Sequence, residues 1–382
     1  MKQQGILRQS IVMATGLALA LPGAVQADKH EKETFSTEYE SIRLVQVAGG
    51  LSHPWSLAIL PDGRYLVSEK EGRLQLIEDG NKTEISGVPE VSASGQGGLL
   101  DVVLHPDYED NGWIYFTWSK ATDGSDTRTV LSRARLDGDA LADWEDLFQQ
   151  DRASSPGRHY GSRLAWHNDG TLLMSIGDRG TEPERAQDRG DHAGAVLRLT
   201  ETGEAAGDNP FVNDEGVLPE IYSYGHRNIQ GMIVNPDNGE IWVTEHGPRG
   251  GDELNLVQAG NNYGWPVAGK GRDYGTEEIF GDTRSKDTMT DPVHEFLPTH
   301  APSGLALITA DTFSAWEGNL MAGGLRSERI RRVVLEDQQV VHEEELLLKA
   351  IGRIRDVREG PEGHIYVLND EEEAGLYRIE PD

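Results

Sequence analysis

Apolar and polar positions alternate along this chain in short runs that keep returning in one form. An apolar run meets a corner built from Pro, His or Asn with Asp and Gly, and a second apolar run follows. The pattern occurs at Trp55–Ser68 (WSLAILPDGRYLVS), Leu100–Thr117 (LDVVLHPDYEDNGWIYFT), Leu164–Ile176 (LAWHNDGTLLMSI) and Met232–Thr244 (MIVNPDNGEIWVT). Leu305–Gly323 keeps both runs but lengthens the connection, and the last copy is Val357–Leu368 (VREGPEGHIYVL). Period-two alternation rich in β-branched and aromatic residues predicts strands. The PDG, NDG and PEG corners predict tight reversals, where Gly supplies the positive φ. Each unit thus predicts the inner half of a small antiparallel sheet, while long helical patterns are scarce. All-β repeats of about fifty residues point to a β-propeller. An array of β-sandwiches is the competing arrangement, and alternation alone leaves the number of blades open. In a propeller the inner strands converge on one axis, so loops distant in sequence meet at one face.

Length and composition narrow the picture. The chain has 382 residues, enough for two or three domains, although the blades of a propeller form one body. Its formal net charge is -30, from 65 acidic and 35 basic residues. Nucleic-acid binding is thereby disfavoured, because phosphate contacts need a basic face. The acidity itself reads as solubility. Cysteine is absent, which excludes disulfides, zinc–thiolate sites, iron–sulfur clusters and thiol nucleophiles. At the N-terminus, Lys2 and Arg8 precede an apolar run, Ile11 to Leu21, that ends at Ala24-Val25-Gln26-Ala27. This pattern predicts a secretory signal peptide over residues 1–27 and a periplasmic or secreted mature chain. The run is short for a membrane span, so none is expected in the mature chain; an uncleaved anchor is the alternative. Residues 28–41 read as a charged tether, leaving 42–382 for the propeller.

The densest chemistry lies in residues 222–266. There a strand-like core, Met232 to Thr244, is bracketed by loops crowded with Arg, Asn, His, Gly, Asp and Glu. Such loops carry function while the sheet carries packing. Arg227 and Asn228 set a fixed cation beside a bifunctional amide. Gly247-Pro248, Asp252-Glu253 and Asn261 to Gly264 make an oxygen-rich neighbourhood of the kind calcium prefers. In their order, GHRNIQG, EHGPRGGDELN and GNNYGWP resemble the soluble quinone-dependent sugar dehydrogenases. These are the PQQ-dependent aldose and glucose dehydrogenases. The resemblance runs from about Val45 to the C-terminus and is nearest to the aldose branch. It implies a six-bladed propeller of four-stranded antiparallel blades, with pyrroloquinoline quinone (PQQ) and calcium as cofactors. It also implies oxidation of an aldose at its anomeric carbon to the lactone, an external electron acceptor, and a monomer or homodimer.

A quinone with three carboxylates needs permanent cations. Arg353 and Arg355 flank Ile354, and strand alternation points both guanidinium groups to one side. Two such forks suit a polycarboxylate. On spacing alone a solvated strand edge is the better reading, but the surrounding GRIRDVREGPEGHIYVLND resembles the family so closely that it reverses that preference. Arg326, in AGGLR, stands where the family usually has a lysine, which keeps the charge and changes the geometry; Gly324 and Leu325 would add backbone contacts. The resemblance of HYGSRL selects His159 as the catalytic base among twelve histidines, with Asp178 orienting its ring. Arg158 is a departure from the glucose-oxidising branch, which carries an acid there, and this cation should lower the His159 pKa. Gln96, among glycines, would bond the cofactor edge. Arg227, with Asn228, would stabilise charge growing on the quinone, and Tyr274 would form an aromatic wall. The resemblance places one calcium on the carbonyls of Gly247 and Pro248, and a second on Glu253 and the Tyr263 carbonyl. An ordinary acidic loop is the alternative for Asp252-Glu253.

Two other functions compete. A cofactor-free propeller acting as a ligand- or protein-binding module would have no need of clustered Gln96, Arg227, Arg353 and Arg355. A calcium-dependent lactonase would need side-chain carboxylates from several repeats around an axial metal, and no such set is legible. The preferred sugar has no readable code in the loops at Ala121–Asp126 and Thr276–Thr290.

Overall fold

The computed structural model describes residues 33–382; the expected signal peptide lies outside them. Six antiparallel sheets are arranged as the blades of a propeller. Their innermost strands are Pro54–Ile59, Leu99–Leu104, Leu164–Trp166, Ile229–Val234, Pro302–Leu307 and Ile354–Glu359. Each predicted unit supplies the first and second strands of one blade. The long connection in the fifth unit contains a short 3-10 turn, Asp311–Phe313. Five blades have four strands in sequence order. The sixth is closed from the other end of the chain. After Ile354–Glu359, Ile365–Asn369 and Ala374–Pro381 its next strand is Ser41–Leu51, with Leu44 opposite Ile379. A fifth strand in this sheet, Glu33–Ser36, lies within the stretch that reads as a charged tether. Pairing the two ends of the chain in one sheet leaves the ring without an open seam.

Most apolar packing sits between blades; a small cluster of Trp55, Leu100 and Tyr160 joins three of them. Leu66, Leu74, Leu99 and Phe116 join the first blade to the second. Tyr115, Leu131, Met174 and Leu197 join the second to the third. Ile42 and Leu44 of the N-terminal strand pack with Phe313, Trp316 and Ile354, so the closing strand also stitches the fifth blade to the sixth. The hub is left to polar groups. Asp101 and Asp356 sit at register irregularities of their inner strands, where a bulge re-aims the chain. Arg163 reaches both carboxylates at 3.1 Å, and Arg358 reaches both at 3.0 Å. The other carboxylate oxygen of Asp101 accepts from the Leu164 N–H at 2.7 Å, and Asp356 accepts from the Leu57 N–H at 3.1 Å. This buried tetrad, with two positive and two negative charges, therefore ties neighbouring blades through backbone as well as side chains.

Removing one carboxylate leaves the buried Arg163 and the partly buried Arg358 sharing a single partner. Asp101→Asn should destabilise the propeller by about 3–5 kcal/mol. A urea or thermal unfolding midpoint equal to that of the parent protein would show that the tetrad carries no such load.

Candidate active site

Where the third blade begins, the chain folds back so that His159, ahead of the inner strand, meets Asp178, just after the second strand. His159 Nδ1 lies 2.6 Å from Asp178 Oδ1. The histidine backbone is left-handed, at φ 52°, a conformation a non-glycine residue holds only when its surroundings fix it. Its N–H donates to Gln96 Oε1 at 2.7 Å, and Gly177 admits its carbonyl where any Cβ would collide. Asp178 is itself fully engaged. Oδ1 also accepts from the Gly180 N–H, and Oδ2 accepts from the indole N–H of Trp265 at 2.7 Å. Burial pushes the His159 pKa down, and the charges of Arg227 and Arg158 push it further; the bond to Asp178 opposes them. Burial alone would raise Asp178, but the bonds from His159 and Trp265 and the Arg227 charge hold it low. The pair is thus a neutral imidazole donating through Nδ1 to a carboxylate. Nε2 has no hydrogen-bond partner among the described residues and is left as an acceptor.

Arg227 is buried, yet it pairs with no carboxylate among the described residues. Its Nη1 donates to the His246 carbonyl at 3.1 Å, its plane lies 5.2 Å from the Trp265 ring centroid, and its Nε has no partner. Asn228 accepts from the Gly161 N–H through Oδ1, while its buried Nδ2 donates to nothing. Unsatisfied donors of this kind are uncommon inside a folded protein and ask for an acceptor.

A cavity of about 470 Å³ adjoins this cluster, lined by Gln96, Leu325, Arg326, Arg353 and Arg355 among others. Arg353 and Arg355 do point to one side, as alternation predicts: both donate to Asp370 Oδ2, at 3.1 and 2.9 Å. Burial would raise the Asp370 pKa, but the Arg355 charge, with bonds from His53 and Arg355, holds it far below the usual carboxylate range. Arg355 also donates to Gln230 Oε1, and its Nε is unpartnered. Arg326 is exposed and makes no ion pair among the described residues. Ile354 between the two arginines turns into the apolar core, so its side chain does not face the cavity. Gly324 is tightly enclosed, since a Cβ there would strike Ser327 Oγ and the His300 ring.

A narrow crevice next to the cavity is lined by Arg227, His246, Gly247, Pro248, Glu253 and Tyr263. Gly247 is held by its N–H to Asp252 Oδ1 at 3.1 Å. Glu253 stands directly across the strand pair from Glu245. Glu245 is bonded to His226 and to the Arg227 N–H, whereas Glu253 receives only Asn255 at 3.2 Å. Burial, and then the Glu245 charge, raise the Glu253 pKa well above the carboxylate range. Tyr263 spends its hydroxyl on the Leu256 carbonyl, so only its backbone is available to a ligand. Among the described residues no cluster of three His, Cys, Asp or Glu side chains is suited to a metal ion. Tyr274 lies apart from the cavity. It is 60% exposed and donates its hydroxyl to the Pro248 carbonyl at 2.7 Å, so it walls nothing.

Several members of the cluster carry no role in the sequence reading. Trp265 ends the GNNYGWP motif, and its indole N–H was the signal: a buried tryptophan beside polar loops seeks an acceptor. His246 lines both the cavity and the crevice. Burial and the nearby Arg227 charge depress its pKa to about 3. Asp370, Gln230 and Glu245 become visible only through their partners.

Residues 51–378 match the family model described as glucose / sorbosone dehydrogenase. The aldose sugar dehydrogenase YliI of Escherichia coli is 39% identical over 337 residues, covering 87% of this chain and 91% of that protein. The apo-form crystal structure of the soluble aldose sugar dehydrogenase of E. coli superposes with a TM-score of 0.86 at 37% identity, over 89% of this chain and 100% of that one. The PQQ-bound aldose sugar dehydrogenase of Streptomyces coelicolor gives 0.73 at 30% identity, over 92% and 99%. The chain therefore belongs to the glucose/sorbosone dehydrogenase family, oxidoreductases that act on the CH–OH groups of sugars.

Proposed function

We propose that this protein oxidises aldoses at the anomeric carbon to lactones, with PQQ and calcium, and passes the electrons to an external acceptor. Arg227 carries the reading. A buried guanidinium without a carboxylate partner among the described residues, next to a neutral imidazole, suits a site where an anion is bound or formed. The donor set fits PQQ. Arg326, Arg353 and Arg355 would hold its carboxylates, Gln96 and Asn228 its polar edge, and Gly324 and Leu325 would contribute backbone. When bound, PQQ would supply the two-electron oxidant; the Gly247 and Pro248 carbonyls would hold a calcium, which would supply Lewis-acid polarisation. His159 removes the anomeric hydroxyl proton at Nε2, and Asp178 steadies the resulting imidazolium. Trp265 holds Asp178, and Arg227 presents fixed positive charge where negative charge grows. A binding-only propeller would leave this base, its orienting acid and the orphaned donors without purpose. A signal peptide fits delivery to the periplasm, and no helix among the described residues is long and apolar enough to cross a membrane.

The direct test supplies apoprotein with PQQ and calcium and follows dye reduction over a panel of aldoses, with lactone identified in the product. Chelation before loading should abolish turnover. His159→Ala should retain the cofactor spectrum while kcat falls about 10²–10⁴-fold. Full activity in that variant would remove His159 from the chemistry.

Because the base works as neutral imidazole, activity falls as pH drops through the His159 pKa. Burial and two cations place that acid limb below the ordinary imidazole value of about 6.5. Arg158→Gln removes one of the cations, so the limb of kcat/KM should move upward by a fraction of a unit. An unmoved or downward-shifted limb would contradict the assignment.

Glu253 supplies a buried carboxylate with no basic partner within salt-bridge reach, which suits a second calcium with the Tyr263 carbonyl. Calcium at about a hundredfold excess over its Kd should add roughly 2.7 kcal/mol of stability. Glu253→Gln should leave the calcium-free protein as stable as its parent, or more so, because burial disfavours the charge. The same variant should lose most of the calcium gain in thermal unfolding. An undiminished gain would place the ion elsewhere.

A further inference from the structure

The second blade carries a groove that the proposed chemistry does not use. It encloses about 820 Å³ and is lined by Glu90, Ser92, Trp118, Lys120, Trp144 and Asp146, among others. Trp144 reaches it through an irregularity of the outer strand. The register shifts between Ala142 and Glu145, and Asp143 takes a left-handed φ of 54°. A bulge held by a strained non-glycine residue turns an indole inward that plain alternation would not place there. One face of the ring packs against Phe116, 5.3 Å between centroids, and Trp118 meets it edge-on at 6.3 Å. A single carboxylate fixes the polar side. Asp146 accepts from the Trp144 indole N–H at 3.0 Å, from Ser132 Oγ at 2.8 Å and from Lys120 Nζ at 2.8 Å. Lys120 and Asp146 remain about two-fifths exposed, so both can still meet a ligand.

The groove also opens at the catalytic end of the blade. Trp118 pairs with Leu99, three residues after Gln96. Ser92, on the same loop as Gln96, is bonded to Ser119 through its N–H and its carbonyl. The loop that forms one wall of the groove therefore continues into the lining of the cofactor cavity.

We propose that this groove is a second saccharide-binding site, taking a pyranose ring of an oligosaccharide or of a sugar bound apart from the reacting one. A pyranose offers an apolar C–H face and a rim of hydroxyls. An indole platform answers the first, and ammonium, carboxylate and hydroxyl groups beside it answer the second. The identity of the ligand class rests on the reading of this protein as a sugar oxidoreductase, whereas the existence of the site does not depend on turnover.

The test measures binding and catalysis separately on the full-length protein. Isothermal titration of an α-linked and a β-linked glucose trisaccharide into the apoprotein should give heat with at least one. Trp144→Ala should weaken that binding about three- to tenfold, the worth of one aromatic platform. Lys120→Ala, on the exposed rim and harmless to the core, should weaken it about threefold. Trp144→Phe, which keeps an aromatic face, should recover most of the loss. In assays of the loaded enzyme, KM for the trisaccharide should rise in Trp144→Ala and Lys120→Ala while KM and kcat for the monosaccharide hold. Three outcomes overturn the proposal: no heat with either trisaccharide, affinity unchanged in both variants, or an equal rise in KM for monosaccharide and trisaccharide. A protein that binds trisaccharide through Trp144 yet oxidises no sugar would refute the proposed reaction and leave this groove standing.

Discussion

A ring of blades can bury apolar side chains between neighbours, but it cannot fill its own axis with them. The large core clusters of the described residues lie between adjacent sheets, and the inner strands present many polar residues to the centre. Charge there must be compensated in place, because desolvated ions are stable only with partners. One level of the hub meets this demand internally. Arg163 and Arg358 neutralise Asp101 and Asp356, and the carboxylates also take backbone donors from the next blade. At the level of Arg227, Asn228 and Arg355, buried donors of all three side chains lack an acceptor among the described residues.

The same logic orders the His159–Asp178 pair. His159 is neutral because burial and two nearby guanidinium groups oppose its protonation, while Asp178 keeps its charge by accepting three hydrogen bonds. A neutral imidazole beside a fixed guanidinium is the arrangement on which the proposed base role of His159 rests. Trp265 links the two halves of the site: its indole N–H holds Asp178 and its ring faces Arg227. Opposite them, Glu253 is a buried acid raised by burial and by Glu245, the counterpart in sign to the orphaned donors. The proposed anionic cofactor and calcium rest on this juxtaposition of Arg227, without a carboxylate partner among the described residues, and Glu253, without a basic one.

Much of the architecture was legible in the chain. The six apolar–corner–apolar units became the inner pairs of six blades, because strands packed between neighbouring blades need apolar positions and their reversals need turn residues. Outer strands such as Asn81–Ile85 and Gln339–Leu346 escaped notice, since their exposed positions tolerate any polar residue. Closure by Ser41–Leu51 was equally silent. Its partner, Ala374–Pro381, lies at the far end of the chain, and no local pattern encodes a pairing over that separation.

The site divides along the same line. Residue type gave what each side chain could do, and the resemblance of the motifs to the sugar dehydrogenases picked Arg353, Arg355 and His159 from among the others. The tertiary structure decided which of them meet. It set Arg353 and Arg355 on one carboxylate and made Trp265 the anchor of Asp178. It set Glu245 opposite Glu253 and left Tyr274 on an exposed loop. Sequence records the chemistry each side chain can perform; only the closing of the ring fixes distance, burial and partner, and these set its charge and reach.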